Sequence, residues 1–210
     1  MSGSQKTLLI VLAVVAAVLV GLSLSTLLPS AENGVSTQAQ NRALIGGPFE
    51  LTDHQGNRVT EKDYAGQYKL IYFGFTYCPD VCPTELQTMS AALEEMGENA
   101  EKVQPLLITI DPERDTPEAL AQYVGHFHSR LVGLTGTPEE IAAAAKAYRV
   151  YYAKVEDENS SAEYTMDHSS VIYFMGPDGG FLTHFGPGTA PSAMAQRMNK
   201  LIEEEDGEAS

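Results

Sequence analysis

Both cysteines of this 210-residue chain fall in one short stretch, Thr76-Tyr77-Cys78-Pro79-Asp80-Val81-Cys82-Pro83-Thr84-Glu85, set between an apolar run and an amphipathic one. Residues 69–75 (KLIYFGF) are short and continuously apolar, which predicts a buried strand. From Pro83 onward Leu86, Met89, Leu93 and Met96 recur at the spacing of a one-faced helix. A strand passing into a helix through a proline-punctuated loop commits the chain to a layered α/β structure, with both sulfurs at the transition. Pro79 and Pro83 bias Cys78 and Cys82 away from helical dihedrals. The helix is therefore expected to begin at Pro83, with Cys82 as N-cap and Glu85 at N3. Free N–H groups and the helix dipole would there favour a thiolate on Cys82.

The rest of the chain continues the alternation. Residues 49–51 and 58–60 flank Asp53-His54-Gln55-Gly56-Asn57 and predict an N-terminal hairpin. Residues 105–110 (PLLITI) predict a second buried strand. Thr116-Pro117-Glu118 then opens a helix with Leu120, Tyr123, Val124 and Phe127 on one face. Thr137-Pro138-Glu139-Glu140 repeats that signature, with a capping box ahead of Ile141, Ala144 and Ala145. Residues 148–155 are β-rich, 156–163 form a polar excursion, and 171–175 (VIYFM) predict a buried strand. A turn at residues 176–180 leads into a strand at 181–185, and a helix at 193–202 closes the domain. This order predicts a three-layer α/β domain with a mixed sheet.

Residues 7–28 carry no charge, and Lys6 is the one charged side chain before Glu32. At ~1.5 Å per residue this run spans about 33 Å, enough for a hydrocarbon core of ~30 Å. A cleaved secretory signal would be shorter and end in small residues, whereas Pro29-Ser30-Ala31 puts proline where a small residue is wanted. An uncleaved anchor at 7–28 is expected, with residues 1–6 cytoplasmic. Residues 29–45 follow as a linker, then a domain at 46–203 and an acidic tail at 204–210. The domain would lie in a compartment where thiols oxidise readily. A net charge of −15, from 13 Lys+Arg against 28 Asp+Glu, excludes a nucleic-acid partner.

Three chemistries suit the C-x₃-C stretch: a small disulfide that pins the turn, a redox dithiol, or a soft-metal site. The strongest redox spacing is C-x-x-C, and the extra residue leaves room for an ion. Two thiolates favour Cu(I), Zn or similar ions but need a third ligand. His168, in Tyr164-Thr165-Met166-Asp167-His168-Ser169-Ser170 just before the VIYFM strand, is the best candidate among five histidines. His126 and His128 point to different helix faces, and His54 and His184 lack partners at metal spacing. Met166 and Asp167 adjoin His168 and are candidates for an auxiliary role. Met194 and Met198 form a core stripe. Asp111-Pro112-Glu113-Arg114-Asp115 lacks the alternation and glycine of a calcium loop.

The segments FGFTYCPDVCPTEL, ITIDPERDTPEAL, LVGLTGTPEEI, AKAYRVYYAKV and DHSSVIYFMGPDG together closely resemble the Sco/SenC family, from about Gly47 to Ile202. The resemblance implies a thioredoxin-like domain, a mixed sheet flanked by helices, on a single N-terminal transmembrane helix. It implies a copper chaperone in cytochrome c oxidase assembly, with Cu(I) or Cu(II) held by Cys78, Cys82 and His168. Its partners would be the binuclear copper centre of oxidase subunit II and other copper chaperones or thiol reductants. The family's D-x-x-x-D segment maps onto Asp111 and Asp115 and is associated with partner contact. The residues alone equally suit a solvated loop that caps the next helix. The lack of a basic, Ser-rich targeting peptide ahead of the anchor leads to an expected location in a bacterial inner membrane, domain in the periplasm. Two rivals stand beside the chaperone: a thiol–disulfide reductase serving the oxidase's cysteines, and a peroxide-reducing enzyme. The second needs an arginine beside a low-pKa cysteine, and none adjoins the motif in sequence.

Overall fold

A computed structural model of the chain describes residues 45–156 and 164–208. The proposed anchor at 7–28 and the linker up to residue 44 lie outside the described residues, as do residues 157–163 of the polar excursion. Among the described residues no helix is long and apolar enough to cross a membrane.

The core strand is β3 (Tyr68–Gly74), buried along its whole length. It pairs in parallel with β4 (Val103–Thr109), which pairs in parallel with β5 (Val132–Thr135). Helix α1 (Val81–Glu95) makes the first crossover and α2 (Pro117–Val124) the second. On the far side of β3 lie the antiparallel strands β8 (Ile172–Met175) and β9 (Phe181–Phe185), followed by helix α4 (Pro191–Glu208). The expected N-terminal hairpin is β1 (Glu50–Asp53) and β2 (Arg58–Thr60), with β1 antiparallel to β5. The sheet order is thus β2-β1-β5-β4-β3-β8-β9. Helix α1 packs against α4, and α2 against β5. A β-α-β unit and a β-β-α unit meeting at β3 and β8 make the thioredoxin-like mixed sheet flanked by helices. Both Thr-Pro starts behave as written. Thr116 accepts from the Ala119 N–H at 3.3 Å, and Thr137 with Glu140 forms a complete capping box ahead of α3 (Pro138–Ala147).

Three local expectations are corrected, and one strand was not expected at all. Helix α1 begins at Val81 with Asp80 as N-cap, so Cys82 lies inside the first turn and Pro83 occupies its third position. Proline is tolerated there because those N–H groups have no intrahelical partner. Strand β5 escapes the sequence because it is only four residues long and Gly133 interrupts its apolar pattern. A Cβ at Gly133 would stand 3.1 Å from Leu120 Cβ and Val124 Cγ1, so glycine lets α2 lie close on the sheet. Phe127 lies beyond the end of α2, its ring against that of Tyr123 at 5.2 Å. Residues 148–151 are not strand: Tyr148 closes α3, and Arg149 turns the chain with φ 57°.

The last difference bears on function. Strand β6 (Tyr152–Glu156) pairs with β7 (Tyr164–His168) in a separate two-stranded ribbon, Tyr152 opposite His168. His168 is therefore the final residue of a strand, not part of a loop.

Candidate metal centre

The two cysteines are free thiols at the C-terminal end of β3, Cys78 8% and Cys82 0% exposed. Cys78 takes the place of a capping side chain: its Sγ accepts the Cys82 N–H at 3.3 Å. Cys82 Sγ points inward, where the Tyr72 hydroxyl donates to it at 3.7 Å. The strand beneath must be bare, since a Cβ on Gly74 would stand 2.7 Å from Tyr72 Cε1 and 3.1 Å from Cys82 Sγ.

His168 completes the group. Its Nε2 lies 3.5 Å from Cys82 Sγ, and its ring stands edge-on to Tyr72 and Phe75, centroids at 6.1 and 5.9 Å. Nδ1 lies 3.3 Å from the Ser169 carbonyl. A carbonyl only accepts, so this contact favours the tautomer protonated at Nδ1 and leaves the Nε2 lone pair towards the sulfurs. Two donors on one tetrahedral ion, at bond lengths of about 2.3 Å to sulfur and 2.0 Å to nitrogen, stand about 3.5 Å apart. The donor set is soft and its spacing suits a metal. The ligands are nonetheless not closed into a cage: among the described residues no three His, Cys, Asp or Glu side chains already stand in metal-holding geometry.

The two thiols are unequal, and the order reverses the sequence expectation. The Cys78 thiol is lowered to about 4, because the Cys82 thiol, His168 and the backbone at Asp80 and Cys82 all support its thiolate against the cost of burial. Cys82 is pushed up by its bond to Cys78, by burial and by the neighbouring negative charge. The pair therefore releases its first proton from Cys78. An ordinary thiol loses alkylation rate tenfold per pH unit below about 8.5. Cys78 should instead react with iodoacetamide at a nearly constant rate from pH 8 down to about 5, and well before Cys82. Peptide mapping after timed quenching reads this directly. Earlier labelling of Cys82, or a rate falling steadily from pH 8, would contradict the assignment.

The two aspartates of the acidic loop after β4 are not solvated. Asp111 is 3% and Asp115 0% exposed. Asp115 accepts from the Thr76 N–H at 3.1 Å and from the hydroxyls of Thr76 and Thr109, both at 2.6 Å. Asp111 accepts from Arg114 Nε and from the Tyr164 hydroxyl, the latter at 2.9 Å. Enclosed side chains offer a partner no surface, so any influence on one passes through the loops they hold. Arg114 is the arginine absent from the motif in sequence. The fold lays its guanidinium over the Tyr77 ring at 4.5 Å and the Tyr164 ring at 3.7 Å, but its bonds go to Asp111 and the Tyr164 carbonyl rather than to either sulfur. That removes the support a peroxide-reducing site would need.

The other candidates fall away. His54 accepts the Gly133 N–H at 3.1 Å, His128 that of Arg130 at 3.2 Å, and His126 and His184 are exposed. Met166 shares the inner face of β7 with His168 and packs on the core, whereas Asp167 faces solvent. Met194 and Met198 are fully buried core residues. Tyr72, Gly74, Arg114 and Tyr164 were not legible as site residues, since pairing and crossover, not spacing, bring them together.

The family model described as SCO1/SenC matches residues 37–203. The human protein SCO1 homolog, mitochondrial, is 54% identical over 150 residues, 69% of this chain and 48% of its own. SCO1 homolog 1, mitochondrial, of Arabidopsis thaliana is 49% identical over 146 residues, 69% of this chain and 43% of its own. The chain thus spans about half the length of the curated relatives it matches. The crystal structure of Arabidopsis thaliana ScoI with copper bound superposes with a TM-score of 0.73 at 45% identity, covering 76% of this chain and 99% of that one. The expected bacterial inner-membrane location is overturned by these relatives, which are named as mitochondrial proteins of an animal and a plant. With the motif segments, the sheet order and a match over most of its length in agreement, the chain belongs to the SCO1/SenC family.

Proposed function

We propose that this protein binds copper through Cys78, Cys82 and His168 and passes it by ligand exchange to the binuclear copper centre of cytochrome c oxidase subunit II. The observation that carries this reading is the contact of His168 Nε2 with Cys82 Sγ, beside a Cys78 thiol already disposed to ionise. Copper as the cargo is supported by the copper-bound Arabidopsis relative and by the soft S, S, N donor set.

Each residue has a separate task. Cys78 supplies a standing thiolate at the rim, next to the exposed Tyr77, where an incoming donor meets it first. Cys82 supplies the second sulfur and must release its proton to the solvent buffer on loading, because the His168 Nε2 lone pair beside it is kept for the metal. The Ser169 carbonyl fixes the imidazole so that its lone pair faces inward. Loading needs both thiols reduced, so their oxidation to a disulfide blocks it.

One observation favours a second reading, a thiol–disulfide reductase for the oxidase's copper-ligating cysteines. A thiolate at the rim beside a buried, protonated partner is how an attacking and a resolving thiol are disposed. Mixing the reduced, copper-loaded protein with an oxidised or a pre-reduced copper domain of subunit II separates the two. The chaperone reading expects copper to move to the pre-reduced domain. Reduction of the oxidised domain with no copper transfer to either form would support the reductase instead.

A further inference from the structure

We propose that residues 111–115 form a latch that fixes the histidine arm of the centre against the cysteine arm, with Arg114, Asp115 and Tyr164 as positioning residues for the metal. This rests on the copper-binding reading above. The cysteine arm belongs to the main sheet, but the histidine arm does not. Strands β6 and β7 pair only with each other among the described residues. A lone two-stranded ribbon is marginal in water. At its His168 end the chain runs on within four residues into β8 of the main sheet, and Ser169 and Tyr151 extend the ribbon's own pairing there with hydrogen bonds at 3.0 and 3.3 Å. Its other end starts at Tyr164, about 13 Å further along at ~3.3 Å per residue. Without a second attachment, and with only the partial packing of Tyr152 and Met166 on the core besides, the ribbon could pivot about the Ser169 end and carry His168 with it.

The acidic loop supplies that attachment. The Tyr164 hydroxyl donates to Asp111 at 2.9 Å, and Arg114 Nη1 donates to the Tyr164 carbonyl at 3.0 Å. The guanidinium covers the Tyr164 ring, and Lys154 of β6 pairs with Glu113 at 3.1 Å while lying over the same ring at 3.7 Å. The same loop grips the other arm. Asp115 holds the backbone and hydroxyl of Thr76, two residues before Cys78, and Arg114 lies over Tyr77. Four of these five consecutive residues thus hold both arms. The burial of Asp111 and Asp115, unexplained by partner contact, follows from this role.

The test uses Tyr164→Phe, which removes one hydroxyl, and Arg114→Lys, which keeps the charge but loses the planar stack and the second donor. In the metal-free protein, amide hydrogen exchange of β6 and β7 should quicken at least tenfold while β3, β4 and β8 stay as protected as in wild type. Cu(I) affinity by chelator competition should fall about 10- to 100-fold, the range for groups that orient ligands. Ribbon exchange unchanged in both variants overturns the latch, whatever happens to copper. Faster exchange with wild-type affinity overturns the positioning role. A wild-type protein that binds no copper refutes the reading beneath, while exchange still decides whether the loop is a latch.

Discussion

Valine at position 74 is expected to destabilise the domain by about 3 kcal/mol, the upper part of the range for overpacking a filled core. For a domain of this size that lowers Tm by roughly 10 °C. Gly74 ends the central strand, and an added Cβ there would meet Tyr72 Cε1 at 2.7 Å and Cys82 Sγ at 3.1 Å. Neither neighbour has room to retreat, since Tyr72 and Cys82 are both fully buried. The two extra methyl groups of valine deepen the clash. The site is damaged along with the fold: pushing Cys82 outward breaks its contacts with Tyr72 and His168 and exposes its sulfur. Thermal denaturation and timed alkylation of Cys82 measure the two consequences. A Gly74→Val protein with wild-type Tm and a shielded Cys82 would show that the strand end is looser than the distances allow.

His168→Ala is expected to lower copper affinity by at least about 100-fold, beyond what losing a merely orienting group costs, while leaving the fold in place. The ring is half-buried at the edge of the core, so its edge contacts with Tyr72 and Phe75 contribute only about 1 kcal/mol. With the imidazole gone, two sulfurs remain, one of them protonated in its resting state. Metal binding and thiol chemistry therefore separate at this residue. On the reductase reading the variant would keep its disulfide chemistry, because neither sulfur has been removed. Equal copper affinity in His168→Ala and wild type, measured against the same chelator, would exclude His168 as a ligand. Loss of both copper binding and circular-dichroism signal would instead show a structural residue.

The helices and central strands were legible because their signals are local. Thr116-Pro117 and Thr137-Pro138 are capping chemistry, and KLIYFGF and PLLITI are strands that only a doubly covered sheet could bury. The three ligand candidates were legible too, two from adjacency and His168 from its place before a buried strand. What could not be read was anything set by pairing between distant segments. Strand β5 is too short to announce itself, and the ribbon was hidden because its two halves are separated by the polar excursion. That ribbon turns Asp111 from an apparent surface acid into a buried anchor, whereas the parallel pairing of β3 with β4 buries Asp115 against Thr76 and brings Arg114 to Tyr77 across 37 positions of sequence. The ranking of the thiols failed for a smaller reason. Pro83 sits in the third helical position, so the cap falls at Asp80, and the bond to Cys78 together with deeper burial makes Cys82 the harder to ionise.

The central claim is tested most directly by titrating the fully reduced protein with Cu(I) against a competing chelator and with Cu(II) in the spectrometer, each before and after alkylation of both cysteines. The account predicts one copper bound per chain and thiolate-to-Cu(II) charge-transfer absorption, both abolished by alkylation. A reduced protein that retains no copper and stays spectrally blank, or one whose copper survives alkylation unchanged, would contradict it.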